Sequence, residues 1–393
     1  MIYVHIPYCR SFCTYCDFYS EVAARCSTYE NFSNALTAEI ASKEGEIIKN
    51  IQSPSGVNTL YIGGGTPSVL PLSVFESLLS SLETVGCTCN FDEFTVEVNP
   101  EDIVEKGHAY VEGLLKLGVN RISMGVQSFD DETLKWMNRR HDSARAKQAY
   151  AILEETGVKN ISIDLIFGLS QLDHDIWKEN LSKALAISPS GAPPKHISSY
   201  QLSVEEGSAL AALMAKGKWH EASDEVCAQQ YETLCEMLKQ EGYHHYEISN
   251  FAQPGYEARH NSAYWNHIPY VGLGPGAHSF DYSDLSSAPG LIFSRKWNNP
   301  DLAAYIQAGQ SGDFSAVQDG EVLTAEQVGL ERLMLGLRTS KGLPMSFLNE
   351  YCSDESVGLA LDKGHLLAMD NGCCRIPEDK FFISDAIIAD LSL

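Results

Sequence analysis

The chain has 393 residues, 44% hydrophobic and 20% charged, with 28 Lys+Arg against 52 Asp+Glu and a formal net charge of −24. This composition excludes wholesale disorder and predicts a globular protein of about two to three domains. So acidic a surface repels phosphate backbones and anionic headgroups, which argues against a primary role on nucleic acid or at a membrane surface, and no apolar run approaches the roughly 18 residues of a bilayer span.

Residues 1–7 carry no basic segment and no long apolar stretch. No signal peptide is expected, structure starts almost at once, and the expected address is the cytoplasm. Short β-branched or aromatic runs follow at 3–6, 59–62, 94–98, 121–126, 161–167 and 196–202. Helical patterns fall between them at 29–50, 72–82, 109–117, 144–155 and 175–186. Strands alternating with helices predict an α/β protein with a parallel sheet. Six such units fit an open or partial (β/α) barrel or a doubly wound sheet, and spacing alone does not choose. A helix is expected at 225–240, irregular structure rich in His, aromatic and Gly residues over 243–280, and a loop at 285–290. From about residue 300 the character changes, with helices at 325–337, 344–351 and 358–368 and a short hairpin at 374–383. That order predicts a smaller, mostly α, winged-helix-like C-terminal domain, with the division at 1–290 and 291–393.

The eleven cysteines are unevenly placed. Cys9, Cys13 and Cys16 crowd behind the first strand. Three thiolates can hold three irons of a [4Fe–4S] cube and leave the fourth open to a small molecule. A zinc site with His5 or Cys26 as fourth ligand competes, although zinc motifs usually come as two separated ligand pairs. Cys87-x-Cys89 and Cys373-Cys374 are isolated and read as buried or loop thiols.

Gly63-Gly64-Gly65-Thr66-Pro67 follows the second strand. Three glycines let the backbone approach a ligand closely, and the same run suits a tight strand-to-helix turn. It lacks the Lys-Ser/Thr ending of a phosphate loop. Glu97, Gln127 and Asp164 each sit on the polar phase near a strand end. Capping explains any one of them; three in successive units point to a shared pocket at a barrel mouth. In Arg259-His260-Asn261-Ser262-Ala263-Tyr264-Trp265 a histidine stands beside aromatic rings. That suits a haem ligand, with Arg259 for a propionate, and equally a packed aromatic corner.

Tyr3-Val4-His5-Ile6-Pro7-Tyr8-Cys9, followed by Cys13-Thr14-Tyr15-Cys16-Asp17-Phe18, resembles the signature of the radical S-adenosylmethionine superfamily, in the branch around oxygen-independent coproporphyrinogen III oxidase. The likeness continues through 63–67, 97–100, 123–129, 164–168, 200–202, 246–265 and 272–278, so it spans at least 1–340. It implies a partial (β/α)6 TIM-like barrel, a [4Fe–4S] cluster on Cys9, Cys13 and Cys16, and S-adenosylmethionine on the open iron. It further implies that Tyr3 and Tyr15 flank the cluster and that Gly64, Gly65 and Thr66 line the methionine moiety. Glu97, Gln127, Arg139 and Asp164 would fix the rest of the cofactor. Arg139 has no signal of its own and reads otherwise as a helix-surface arginine.

Two departures separate this chain from the oxidases of that branch. They carry another Cys two positions after the third cluster Cys, where this chain has Phe18. They also carry an N-terminal extension, whereas the first cluster Cys here is residue 9. The His-Asn-x-x-Tyr-Trp run at 260–265 resembles the HemW-like, haem-chaperone branch instead. That implies haem as cofactor or cargo, His260 as its candidate ligand, and acceptors such as respiratory haem proteins, with transient membrane contact left open. Oxidative decarboxylation of coproporphyrinogen is the alternative.

Overall fold

The computed structural model describes residues 1–23, 29–53, 55–284 and 291–392. Cys26 and the loop expected at 285–290 lie outside the described residues. Six parallel strands stand side by side in chain order: β1 (Ile2–Ile6), β2 (Thr59–Gly64), β3 (Glu93–Val98), β4 (Arg121–Gln127), β5 (Ile161–Phe167) and β6 (His196–Gln201). A doubly wound sheet reverses its strand order partway. This one never does, so every crossover winds the same way and the sheet curls into a partial (β/α)6 barrel.

The sheet has nine strands and stays open. At one edge β8 (Asn250–Ala252) pairs antiparallel with β6, and β7 (His244–Glu247) pairs antiparallel with β8; at the other, β9 (Val271–Leu273) lies parallel to β1. The stretch expected to be irregular therefore holds three strands, the start of a fourth at His278, and a helix, Arg259–Trp265. β9 is hidden in the sequence because its glycines serve tertiary approach. A Cβ on Gly272 would sit 1.9 Å from the His278 carbonyl oxygen, and one on Gly274 would sit 2.4 Å from that of His5.

The two faces of the six strands differ in chemistry. Leu60, Ile62, Phe94, Val96, Ile122, Met124, Ile163, Leu165 and Ile197 alternate outward and are buried under the helices. The inward phase carries Tyr61, Thr95, Glu97, Arg121, Ser123, Ser162, Asp164, His196 and Ser198, paired across neighbouring strands in one register. A parallel sheet buried in apolar surroundings on both faces reads as continuous apolar runs. The alternation here reports a polar lumen.

Around the barrel the helix expected at 29–50 is broken into Tyr29–Ser42 and Glu44–Ile51. At the break Lys43 turns inward, with Nζ 2.9 Å from the Gly272 carbonyl and 2.8 Å from the Glu39 carboxylate. Helix Leu302–Ser311 packs on Tyr29–Ser42 through the Tyr305 hydroxyl, which donates to Glu39 at 2.7 Å. An antiparallel sheet of β10 (His278–Asp284), β11 (Leu291–Asn298) and β12 (Gln318–Leu323) joins residues on both sides of position 290.

The last part holds helices Ala325–Leu337, Met345–Tyr351, Asp354–Asp362 and Ser384–Ser392 and a small antiparallel sheet of Leu343–Pro344, Cys373–Arg375 and Leu367–Ala368. The hairpin lies earlier than the expected 374–383. It turns at Asn371-Gly372, where Gly372 has φ +79°, while Glu378–Ile383 forms a 3-10 helix after Pro377. Among the described residues no helix is long and apolar enough to cross a membrane.

Candidate functional site

A cavity of about 460 Å³ opens at the C-terminal ends of the barrel strands. Its rim is the loop that follows β1. The two-residue strands Tyr8–Cys9 and Glu21–Val22 pair in parallel and close the loop at its base. Its far side is fastened by Thr14, whose N–H reaches the Met137 carbonyl at 3.1 Å and whose hydroxyl donates to Trp136 O at 2.9 Å. Cys9, Cys13 and Cys16 are free, half-buried and all line the cavity.

Burial raises the Cys9 thiol and pushes Cys16 up to about 12, against the lowering effect of the Phe18 N–H. Metal binding must therefore displace thiol protons. Among the described residues no three His, Cys, Asp or Glu side chains converge as one metal ion needs. A cube that offers each sulfur a separate iron makes no such demand. The zinc alternative also loses His5. Its ring is neutral under burial, donating from Nε2 to the Tyr19 carbonyl at 2.8 Å and accepting the Tyr3 hydroxyl at Nδ1 over 3.0 Å.

Gly64, Gly65 and Thr66 line the same cavity. Their turn runs directly beneath the cysteine loop: Gly65 N–H donates to Ile6 O at 2.8 Å, and a Cβ there would lie 2.7 Å from Tyr8 O. Gly64 has φ +108°, and its Cβ would meet the His5 ring at 2.7 Å. The glycine run is thus both a tight turn and a cavity wall.

Glu97, Gln127 and Asp164 reach the cavity as their strand phase predicts. Burial raises the Glu97 carboxyl to about 7, while the Tyr61 hydroxyl donates to it at 2.6 Å and the Gly64 N–H at 3.2 Å. Burial likewise raises Asp164, held by the hydroxyls of Ser198 and Ser123, the latter at 3.2 Å. Gln127 has φ +67°, at the point where β4 slips register against β5. A bulge of this kind re-aims a side chain at a strand end.

Arg139 is not on a helix surface. It follows helix Asp131–Trp136, half-buried at the cavity wall, with Nη2 on Asn99 Oδ1 at 2.7 Å and Gly125 O at 2.8 Å and Nη1 3.4 Å from Cys13 Sγ. Asn99 donates in turn to Thr66 Oγ1 at 3.2 Å, and Thr66 Oγ1 lies 3.4 Å from Cys9 Sγ. A polar relay of Thr66, Asn99 and Arg139 therefore joins two of the three thiols. Tyr15 stands beside Cys13 and closes the group. Sequence reasoning assigned no role to Asn99, and Arg139 entered only by resemblance.

Two predicted residues are not brought to the cavity. Tyr3 lies below it, against His5 and Tyr61. His260 is 1% exposed at the opposite end of the barrel, with Nδ1 2.8 Å from Thr59 Oγ1 and Nε2 3.0 Å from Tyr264 Oη. Burial lowers it to about 3, so the ring is neutral, and it presents no free nitrogen to an iron. Arg259, its neighbour, is exposed beside Asp92. His260→Ala leaves the buried Thr59 hydroxyl and the half-buried Tyr264 hydroxyl without their partner and is expected to cost on the order of 2–3 kcal/mol in chemical denaturation, with iron–sulfur content unchanged. A variant as stable as the parent would show that this corner does not lock the barrel.

Comparison with known proteins agrees with this geometry. Residues 3–179 match the radical SAM superfamily. The chain is 33% identical over 351 residues to the heme chaperone HemW of Synechocystis sp., covering 87% of this chain and 78% of that protein. It is 33% identical over 343 residues to the heme chaperone HemW of Bacillus subtilis, covering 87% and 84%. The structure of coproporphyrinogen III oxidase HemN from Escherichia coli superposes with a TM-score of 0.76 at 20% identity, covering 100% of this chain and 89% of that one, which establishes the shared fold. With its cysteine loop, its polar lumen and relatives matched along most of their length, the chain belongs to the HemW family of the radical SAM superfamily.

Proposed function

We propose that this protein binds haem and passes it to acceptor haem proteins, on a scaffold that carries a [4Fe–4S] cluster and S-adenosylmethionine. The observation that carries the reading is the match over 87% of the chain to proteins named as heme chaperones. Cys9, Cys13 and Cys16 are the residues to hold the cluster. Gly64, Gly65, Thr66, Glu97, Gln127, Arg139 and Asp164 are those to hold S-adenosylmethionine, with Tyr15 beside the thiols. Such a cluster, when bound, supplies an electron to the ligand on its open iron. The chain's own contribution is positioning: Arg139 lends positive charge to Cys13, and the Thr14 anchor fixes the loop.

The mouth also suits a planar macrocycle. Phe12, Phe18 and Tyr200 border the cavity and are 52%, 66% and 43% exposed, an apolar rim over which none of the described residues packs closely. Phe18 stands where the oxidases that the sequence resembles carry a further Cys. Coproporphyrinogen oxidation rests only on the shared fold, which hosts more than one function. We place the activity in the cytoplasm, with respiratory haem proteins as acceptors and transient membrane contact at handover.

The test is anaerobic titration of the cluster-loaded protein with haem. A saturable Soret complex is expected, and transfer to an apo-acceptor should follow. Absence of any complex, together with turnover of coproporphyrinogen, would overturn the reading.

A further inference from the structure

Arg121 opens β4 with its side chain in the lumen, 1% exposed, yet it borders the same cavity as Glu97 and Cys9. Among the described residues its guanidinium makes no hydrogen bond and no ion pair, and its Nε is buried without a partner. The acids that face it are engaged elsewhere. Glu93 accepts the Arg259 N–H at 2.8 Å and the His260 N–H at 2.9 Å. Asp164 is held by Ser123 and Ser198, and Glu97 by Tyr61 and Gly64. Across the strand pair from Arg121, the Thr95 hydroxyl is also buried with no partner.

Glu93 and Asp164 favour the Arg121 charge from a distance, but no acceptor reaches its donors, and a buried donor left unsatisfied costs free energy. An unfilled guanidinium on the cavity wall, with an unfilled hydroxyl on the strand beside it, has the chemistry of an incomplete site. A carboxylate completes it: guanidinium binds carboxylate through paired N–H donors, and a hydroxyl can donate to the same group. We propose that Arg121, with Thr95, is the anchor for a carboxylate of a ligand that enters the barrel lumen from the cysteine-loop mouth. This is a site separate from the residues that hold the cluster. A small free carboxylate fits it by this chemistry. If the haem reading above holds, on which only this second source rests, a haem propionate supplies the same group.

The experiment uses the cluster-loaded protein and its Arg121→Met variant, with Arg121→Lys as the charge-retaining control. Ligand-free Arg121→Met is expected to melt below the parent, because Glu93 and Asp164 lose the positive charge that faces them, so each protein's response is read as a shift from its own ligand-free melt. Sodium propionate, against sodium chloride at equal ionic strength, is expected to raise the parent's melting temperature saturably, to raise Arg121→Lys less, and to leave Arg121→Met unmoved. Haem is then compared with its dimethyl ester by Soret titration. A preference of about tenfold for the diacid, lost in Arg121→Met, identifies the propionate as the source. Equal affinities with a propionate-dependent melt leave the site standing with a free carboxylate as its ligand.

The site is overturned if Arg121→Met keeps the parent's saturable propionate shift, or if the parent shows neither that shift nor the diacid preference. Failure of the parent to bind haem at all, with the propionate shift intact, overturns the haem reading and not the anchor.

Discussion

Cys13→Ser is expected to abolish iron–sulfur incorporation. Anaerobically reconstituted parent protein should carry about four irons and four sulfides per chain and be brown; the variant should hold little of either. The argument is geometric as well as chemical. Cys13 is the thiol that the Arg139 guanidinium approaches at 3.4 Å, so a positive charge is already placed for its thiolate. A serine hydroxyl at that position keeps the hydrogen bond and loses the soft donor that iron requires. Cys9→Ser and Cys16→Ser should behave alike. Cys87→Ser and Cys373→Ser should not, because neither residue lines the cavity. A Cys13→Ser protein with full iron and sulfide would refute a three-cysteine site.

Glu39→Ala is expected to destabilise the fold by about 3–5 kcal/mol, read as a lowered urea midpoint. Glu39 is fully buried. It accepts from Lys43 Nζ at 2.8 Å, Gly274 N at 2.8 Å, Asn298 Nδ2 at 2.6 Å and Tyr305 Oη at 2.7 Å. One carboxylate thus ties helix Tyr29–Ser42, the exit of β9, the end of β11 and helix Leu302–Ser311. Removing it leaves the Lys43 ammonium in the interior with only the Gly272 carbonyl, the Gly274 N–H and Tyr305 hydroxyl unpaired, and Asn298 Nδ2 with only the Gly274 carbonyl. Glu39→Gln should fall between, since an amide accepts through one oxygen and turns a donor toward donors. A loss below about 1 kcal/mol for the alanine variant would mean that this junction contributes no more than an ordinary surface position.

The barrel strands and most of the cavity wall were legible because they are written in short-range alternation. Glu97 and Asp164 stand on the polar phase of otherwise apolar strands, and a strand transmits that phase directly to one side of the sheet. What the alternation does not encode is where the chain returns. Arg139 reads as a helix-surface residue because nothing in Met137-Asn138-Arg139-Arg140 shows that Asn138, at φ +58°, ends the helix and sends the next side chain under the cysteine loop. Asn99 looks like a strand-end cap; its partner Thr66 lies 33 residues away. Arg121 hides for the same reason, since a charged residue at a strand start ordinarily faces solvent. His260 misleads in the other direction. Its aromatic neighbours suit a porphyrin and a packed corner equally, and only the bonds to Thr59 and Tyr264 separate the two.

The chemical contrast between the two sides of the six central strands has a consequence for how such a molecule tolerates change. Cohesion resides on the outward side chains and ligand chemistry on the inward ones, carried by alternate positions of the same segments. Exchanging one lumen residue for another alters what the barrel can hold while leaving intact the adhesion between sheet and helices. One scaffold can therefore be refitted for new cargo without being rebuilt.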